Sequence, residues 1–160
     1  MAGVRVFVLD EEDRLLLVQS DYKKQGPEHM IWVIPGGGIE PGEYSRDAAI
    51  REVKEETGLD IRVERLLWVV EEKEPDGEVD YCHYFLVEVT GGQLSKGYDP
   101  ELDRENQVIM DVQFFSREDM SKLSNVYPGA ALDEFWDLAG SASTHDPWRS
   151  RPSRGFGSRK

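Results

Sequence analysis

Three glutamates stand at residues 52, 55 and 56, inside the stretch REVKEETGL. At i, i+3 and i+4 they share one face of a helix and repel one another there. Gly58 marks the carboxyl end of that helix, where the macrodipole disfavours negative charge. Lys54 points elsewhere, and Arg51 alone cannot neutralise three carboxylates. Converging carboxylates suit a hard divalent cation, since Mg²⁺ takes oxygen ligands and completes its shell with waters and substrate phosphate oxygens. The competing reading is a solvated helix end, because Glu is a good helix former and charge runs usually face water.

The surroundings decide between the two. Upstream stands IPGGGIEPGE, in which Pro35 ends a strand and three glycines follow where the backbone must turn or approach a ligand closely. Lys-Ser or Lys-Thr does not follow, so this is not a Walker loop, and the third glycine of a dinucleotide fingerprint is missing. Around the helix of residues 44–57, placed at 100° per residue, Ile50, Val53 and Thr57 form the face expected to be buried. Asp47 and Lys54 are expected in solvent. Ala48 and Ala49 bracket the acidic arc, and their small side chains predict an acidic face open to an approaching ligand.

These residues need elements to hold them. Runs at 4–9 and 14–19 around DEED predict a hairpin, and MIWVI a short strand before Pro35. IRVERLLWVVEE and EVDYCHYFLVEV predict two strands joined by a tight turn at EPDGE. GGQLSKGYDPELDREN is a long loop, VIMDVQFF a further strand, and REDMSKL and ALDEFWDLA short closing helices. With 160 residues, 39% of them hydrophobic, the chain can bury the core of one mixed α/β domain. Apolar runs are strand-sized rather than membrane-spanning, no leader pattern is seen, and Cys82 is the only cysteine. A cytoplasmic protein without a membrane partner is the expected setting.

Charge divides the chain in two. Residues 140–160 hold five basic residues against one acidic, +4 in all, so −17 of the net −13 falls on the first 139. The body is expected to repel nucleic acid polymers. The tail, rich in Gly, Ser, Pro and Arg, is expected to be disordered, with arginines able to touch RNA, a membrane surface or the acidic body itself.

Residues 37–59 read GGIEPGEYSRDAAIREVKEETGL. Gly37, Glu43, Arg51-Glu52-Val53, Glu55-Glu56 and Gly58-Leu59 stand at the spacings of the Nudix box, and no specified position departs from it. The chain therefore resembles the Nudix hydrolase superfamily over residues 3 to about 139. That resemblance implies an α/β/α sandwich around a mixed β-sheet, and hydrolysis of nucleoside diphosphates linked to another group X with Mg²⁺ (or Mn²⁺). It implies Glu52, Glu55, Glu56 and the main-chain carbonyl of Gly36 as metal ligands. Arg51, bridged to Glu43, would orient the carboxylates, while Gly37 and Gly58 support the backbone. Relatives take the general base from the box or from a later loop, which leaves Glu52, Glu101 and Glu105 as candidates, with Glu105 preferred. Many relatives form homodimers that complete the pocket, and that partner is left open.

Marks of the substrate are faint. Pro75 stands about sixteen residues past the box, where ADP-ribose-cleaving relatives often have proline, yet it also suits a hairpin turn. Ser20 and Phe114 stand where many relatives carry a basic residue and Trp. Tyr22, Trp32, Trp68, Tyr81, His83 and Phe114 could stack a base, although strand neighbours favour the core for most. Lys23 and Lys24 could meet phosphates. A small nucleotide, ADP-ribose or a nucleoside triphosphate, is the expected substrate. RNA 5′-end hydrolysis, suggested by the tail, and nucleotide sensing without catalysis rank behind it, the latter because sensors usually lose box glutamates.

Overall fold

Alternation in the first strand, β1 (Ala2–Leu9), sets the architecture of the computed structural model, which describes residues 1–21, 26–98, 100, 102, 107–140 and 145–152. Val4, Val6 and Val8 point to one face and Phe7 to the other, and all four are fully buried. A strand buried on both sides needs cover on both sides. On the first face lies α1 (Ser45–Thr57), whose Ala48, Ala49 and Val53 pack with those valines and with Phe85 and Val87. On the second lie α2 (Arg117–Met120) and α3 (Glu134–Ala139), which bring Met120 and Phe135 onto Phe7, Trp68 and Tyr84. The rings of Phe7 and Phe135 stack at 4.2 Å, 7° from parallel. Helices on both faces of a mixed sheet make the α/β/α sandwich expected from the sequence.

The remaining strands are β2 (Leu15–Ser20), β3 (Ile31–Val33), β4 (Gly36–Gly38), β5 (Leu59–Lys73), β6 (Val79–Gly92), β7 (Ile109–Phe115), β8 (Val126–Tyr127) and β9 (Trp148–Pro152). Their order is β8-β3-β2-β1-β6-β5-β9, with β4 also on β1 and β7 also on β2. β1 and β2 meet at Leu9 and Leu15 and then diverge, β1 to β4 and parallel β6, β2 to β3 and β7. The predicted hairpin turns at Asp10, whose carboxylate accepts from the amides of Glu12 and Arg14. The EPDGE turn closes where Glu74 N–H donates to Glu78 O at 2.8 Å. None of the described helices is long and apolar enough to cross a membrane.

Two expectations need correction. On α1 the buried side is Ala48, Ala49, Val53 and Thr57, while Ile50 is 42% exposed. The two alanines do not flank an open acidic face; they let the helix lie close against β1 and β4. The tail is not wholly disordered either, because residues 148–152 form β9, parallel to β5 from Val69–Trp148 to Lys73–Pro152. Two attractions hold it there. An unpaired strand edge supplies amide partners such as Val69 N–H to Pro147 O, 2.8 Å. The acidic body supplies Glu71, which accepts from the Trp148 indole and the Ser150 hydroxyl, and Glu134, which pairs with Arg149. The Arg149 guanidinium also lies 5.9 Å from the Trp68 ring centroid.

Truncation after Gly140 strips this cover from β5. A lower urea midpoint than the full chain and concentration-dependent self-association by size-exclusion chromatography are expected. Unchanged stability and a single unshifted peak would show that β9 adds nothing to the fold.

Candidate active site

The glutamate helix is fitted to the sheet through glycine. β4 pairs antiparallel with β1, setting Gly36 opposite Arg5, Gly37 opposite Val4 and Gly38 opposite Gly3. A Cβ on Gly37 would lie 2.6 Å from Cδ of Glu52, and one on Gly36 would lie 2.8 Å from Cδ of Arg5. Only glycine admits these side chains so close to the strand. At the far end of α1, Gly58 takes φ 78° and closes the helix by donating to Lys54 O at 3.0 Å. Thr57 is fully buried; its hydroxyl donates to Val53 O at 2.7 Å and accepts from Leu59 N–H at 3.3 Å.

Arg51 holds the acidic cluster. Nε and Nη2 grip the two oxygens of Glu43 at 2.8 and 2.9 Å, Nη1 donates to Glu52 at 2.9 Å and Glu55 at 3.3 Å, and Nη2 also donates to Gly38 O at 2.9 Å. Five donors thus meet five acceptors, a fork geometry only arginine provides. Its hydrogen bonds to Glu43 hold the Glu43 carboxyl below the usual glutamate range, and they raise the guanidinium's own affinity for its proton.

Glu56 lies deeper. It accepts from Gly36 N–H at 3.1 Å, and burial, then the Glu52 charge, pushes its carboxyl well above the usual range against the opposing pull of Arg5. Burial raises the Glu52 carboxyl too, against the charge and hydrogen bond of Arg51. Two half-buried carboxylates this close disfavour each other's negative charge, and a positive charge between them would relieve it.

The end of α1 has a second support. From the segment after β6, Ser95 N–H donates to Thr57 O (2.9 Å), Gly97 N–H to Glu56 O (2.8 Å) and Tyr98 N–H to Glu55 O (3.0 Å). These carbonyls form the negative pole of the helix, and three amides now cover it. A Cβ on Gly97 would run into the backbone of Glu55 and Glu56.

The structure therefore gathers Glu43, Arg51, Glu52, Glu55 and Glu56 around Gly36–Gly38. The contact from Gly36 is made by its amide, whereas the family resemblance implies its carbonyl as ligand. Glu101, Glu105, Tyr22, Lys23 and Lys24 lie outside the described residues. Trp68 is core, Trp32 packs edge-on against Phe115 at 5.0 Å, and His83 stacks on Phe85. Pro75 sits in the β5–β6 turn. The residue not singled out from sequence is Arg5, 4% exposed in the centre of the sheet. Its signal was one arginine inside the otherwise apolar run VRVFVL.

The sandwich and its glutamate-bearing strand, loop and helix define a Nudix fold. The chain belongs to the NUDIX domain family, which matches residues 1–133. It is similar to the ADP-ribose pyrophosphatase of Methanocaldococcus jannaschii, 31% identical over 119 residues that cover 73% of this chain and 63% of that protein. It is also similar to diphosphoinositol polyphosphate phosphohydrolase 3-alpha of Mus musculus, 43% identical over 89 residues, 56% of this chain and 50% of that one. Among solved structures, an ADP-ribose pyrophosphatase from Streptococcus suis superposes with a TM-score of 0.63 at 25% identity, over 95% of this chain and 98% of the other. The chain spans less than two thirds of the length of the curated relatives it matches.

Two variants probe the scaffold. Arg51→Lys has three donors where five acceptors wait, so a loss of about 1–3 kcal/mol in urea unfolding is expected. Gly97→Ala pushes the 95–98 segment off the helix, with a similar loss of about 1–3 kcal/mol and faster hydrogen exchange at the Ser95, Gly97 and Tyr98 amides. Wild-type exchange at those amides would refute the capping role.

Proposed function

We propose that the chain is a metal-dependent pyrophosphohydrolase that cleaves the diphosphate linkage of a nucleoside diphosphate derivative. The observation that carries this reading is the half-buried Glu52–Glu56 carboxyl pair set against the glycines of β4, with Glu55 on the same helix face. Among the described residues no three acidic, His or Cys side chains are gathered as a finished metal cage. The donor set nevertheless fits a hard cation: all its donors are oxygens, the pair needs positive charge, and Gly37 leaves Glu52 the room a Cβ would fill.

Glu52, Glu55, Glu56 and the Gly36 carbonyl would hold Mg²⁺ (or Mn²⁺), which when bound neutralises diphosphate charge and lowers the pKa of a coordinated water. The protein's own contribution is placement. Arg51 fixes the rotamers of Glu52 and Glu55, Glu43 fixes Arg51, and Gly37 lets the carboxylates stand against the strand that the substrate's phosphates must approach. Hydrolysis joins a water oxygen to phosphorus and breaks the bridging P–O bond, releasing two phosphorylated products. A carboxylate must accept the water's proton; Glu105 is our preferred base, with Glu52 and Glu101 the alternatives. The named activities of the archaeal and streptococcal relatives, together with Pro75, favour ADP-ribose over a nucleoside triphosphate. RNA loses ground because Arg149, one of the tail's cations, is taken up by Glu134.

The test is Glu55→Gln and Glu56→Gln, assayed on ADP-ribose and nucleoside triphosphates with saturating Mg²⁺. Each is expected to lower turnover by about 100-fold or more while the fold survives. Wild-type rates in either would overturn the assignment. AMP plus ribose phosphate from ADP-ribose would fix the substrate class; monophosphate plus pyrophosphate would select a triphosphate.

A further inference from the structure

The outer edge of β5 has the makings of a binding site, with selective side chains as well as backbone groups. Its occupant, β9, lies beyond residues 1–133 that the NUDIX domain family covers, and eight residues, 140–147, join it to α3. The parallel ladder from Val69–Trp148 to Lys73–Pro152 holds the strand whatever its sequence. Selection comes from side chains that alternate across it. On one face Glu71 accepts from the Trp148 indole and, at 2.8 Å, from the Ser150 hydroxyl. On the other, Arg149 pairs with Glu134 and lies over the Trp68 ring. Ahead of the strand, His145 Nε2–H donates to Leu67 O at 2.7 Å, and its ring meets Trp68 edge-on at 6.1 Å.

These contacts specify what fits. An extended segment must carry an indole donor, an arginine and a hydroxyl in succession, and Glu71 and Glu134 favour a basic one. None of the contacts requires the segment to belong to the same chain, and every copy of the protein carries such a segment. We propose that the β5 edge is a docking site for this tail segment in trans as well as in cis, so that two copies exchange their tail strands in a closed, two-fold pair. The connection sets the balance. A tether as short as residues 140–147 holds its own strand at an effective concentration of millimolar order. The cis strand therefore fills the site in dilute solution, and exchange takes over where chains are crowded or the cis contact is lost.

Two full-length variants separate the site from the strand. The tail variant, Arg149→Glu with Ser150→Glu, sets like charges against Glu134 and Glu71 and frees the site. The site variant, Glu71→Lys with Glu134→Lys, keeps the strand and removes its acceptors. None of the four side chains is buried, so both should fold, and Trp148→Ala is a milder way to loosen the strand. The probe is a fluorescein-labelled peptide of residues 145–152, titrated by anisotropy. Hydrogen exchange at the Val69 amide, which donates to Pro147 O, reads whether the edge is filled. The tail variant is expected to bind the peptide about tenfold more tightly than the wild-type chain, whose site is occupied, and to regain Val69 protection with it. The site variant is expected to bind about tenfold more weakly than the tail variant. Mixed, the two variants should sediment as a one-to-one complex at concentrations where each alone is a monomer. Peptide affinity in the tail variant no higher than in wild type would overturn the proposal, as would equal affinity in the site variant. A mixture that stays monomeric would overturn exchange between copies and leave β9 an intramolecular strand. No readout involves turnover, so these outcomes are independent of the catalytic reading.

Discussion

Carboxylates gathered at the wrong end of a helix are the constraint around which this protein is built. Glu52, Glu55 and Glu56 repel one another, oppose the macrodipole and are largely withdrawn from water, so a bare helix carrying them would fray. The molecule answers in three places. Arg51 neutralises from the side and is itself immobilised by Glu43 and Gly38. Amides of residues 95–98 cover the carbonyl pole. Gly36 donates to the deepest carboxyl. Even so, the Glu52–Glu56 pair keeps a demand for positive charge, which a structural salt-bridge network would have satisfied.

What could be read from the sequence was what depends on neighbours along the chain. The helix, its glycine stop, the DEED and EPDGE turns and the strand runs all follow from local periodicity and turn chemistry. The glutamates and Arg51 were legible because their spacing is fixed within 23 residues. The support from Ser95, Gly97 and Tyr98 was not, since a loop some 40 positions away in sequence carries no sign of which helix it will cap. Ile50 misled for a related reason. Hydrophobicity favoured it for burial, but the closeness of α1 to β1 and β4 selected alanines instead, leaving the larger side chain outside.

Arg5 shows how a local anomaly acquires meaning from tertiary context. In sequence it is one charge among valines, readable as a residue at an exposed sheet face. Folded, it is flanked in the ladder by Gly36 and Tyr84, and the missing side chain of Gly36 is what lets it pass. Two of the three glycines are thus required by close approach, Gly36 by Arg5 and Gly37 by Glu52, while Gly38 contributes through its carbonyl to Arg51.

The tail strand has a consequence for the order in which the chain is made. β5 ends at Lys73, and the strand that covers its outer edge begins at Trp148. A ribosome adding about 5–20 residues per second needs roughly 4–15 seconds to cross that interval, and longer for β9 to clear the exit tunnel. Throughout that time the nascent sheet presents an open edge on which a neighbouring chain can template. Lys73 and the alternating charges of β5 at Arg62, Glu64 and Arg65 stand along this strand, and such residues discourage edge-to-edge pairing. The youngest strand thus finishes a protection that charged side chains must provide alone during synthesis.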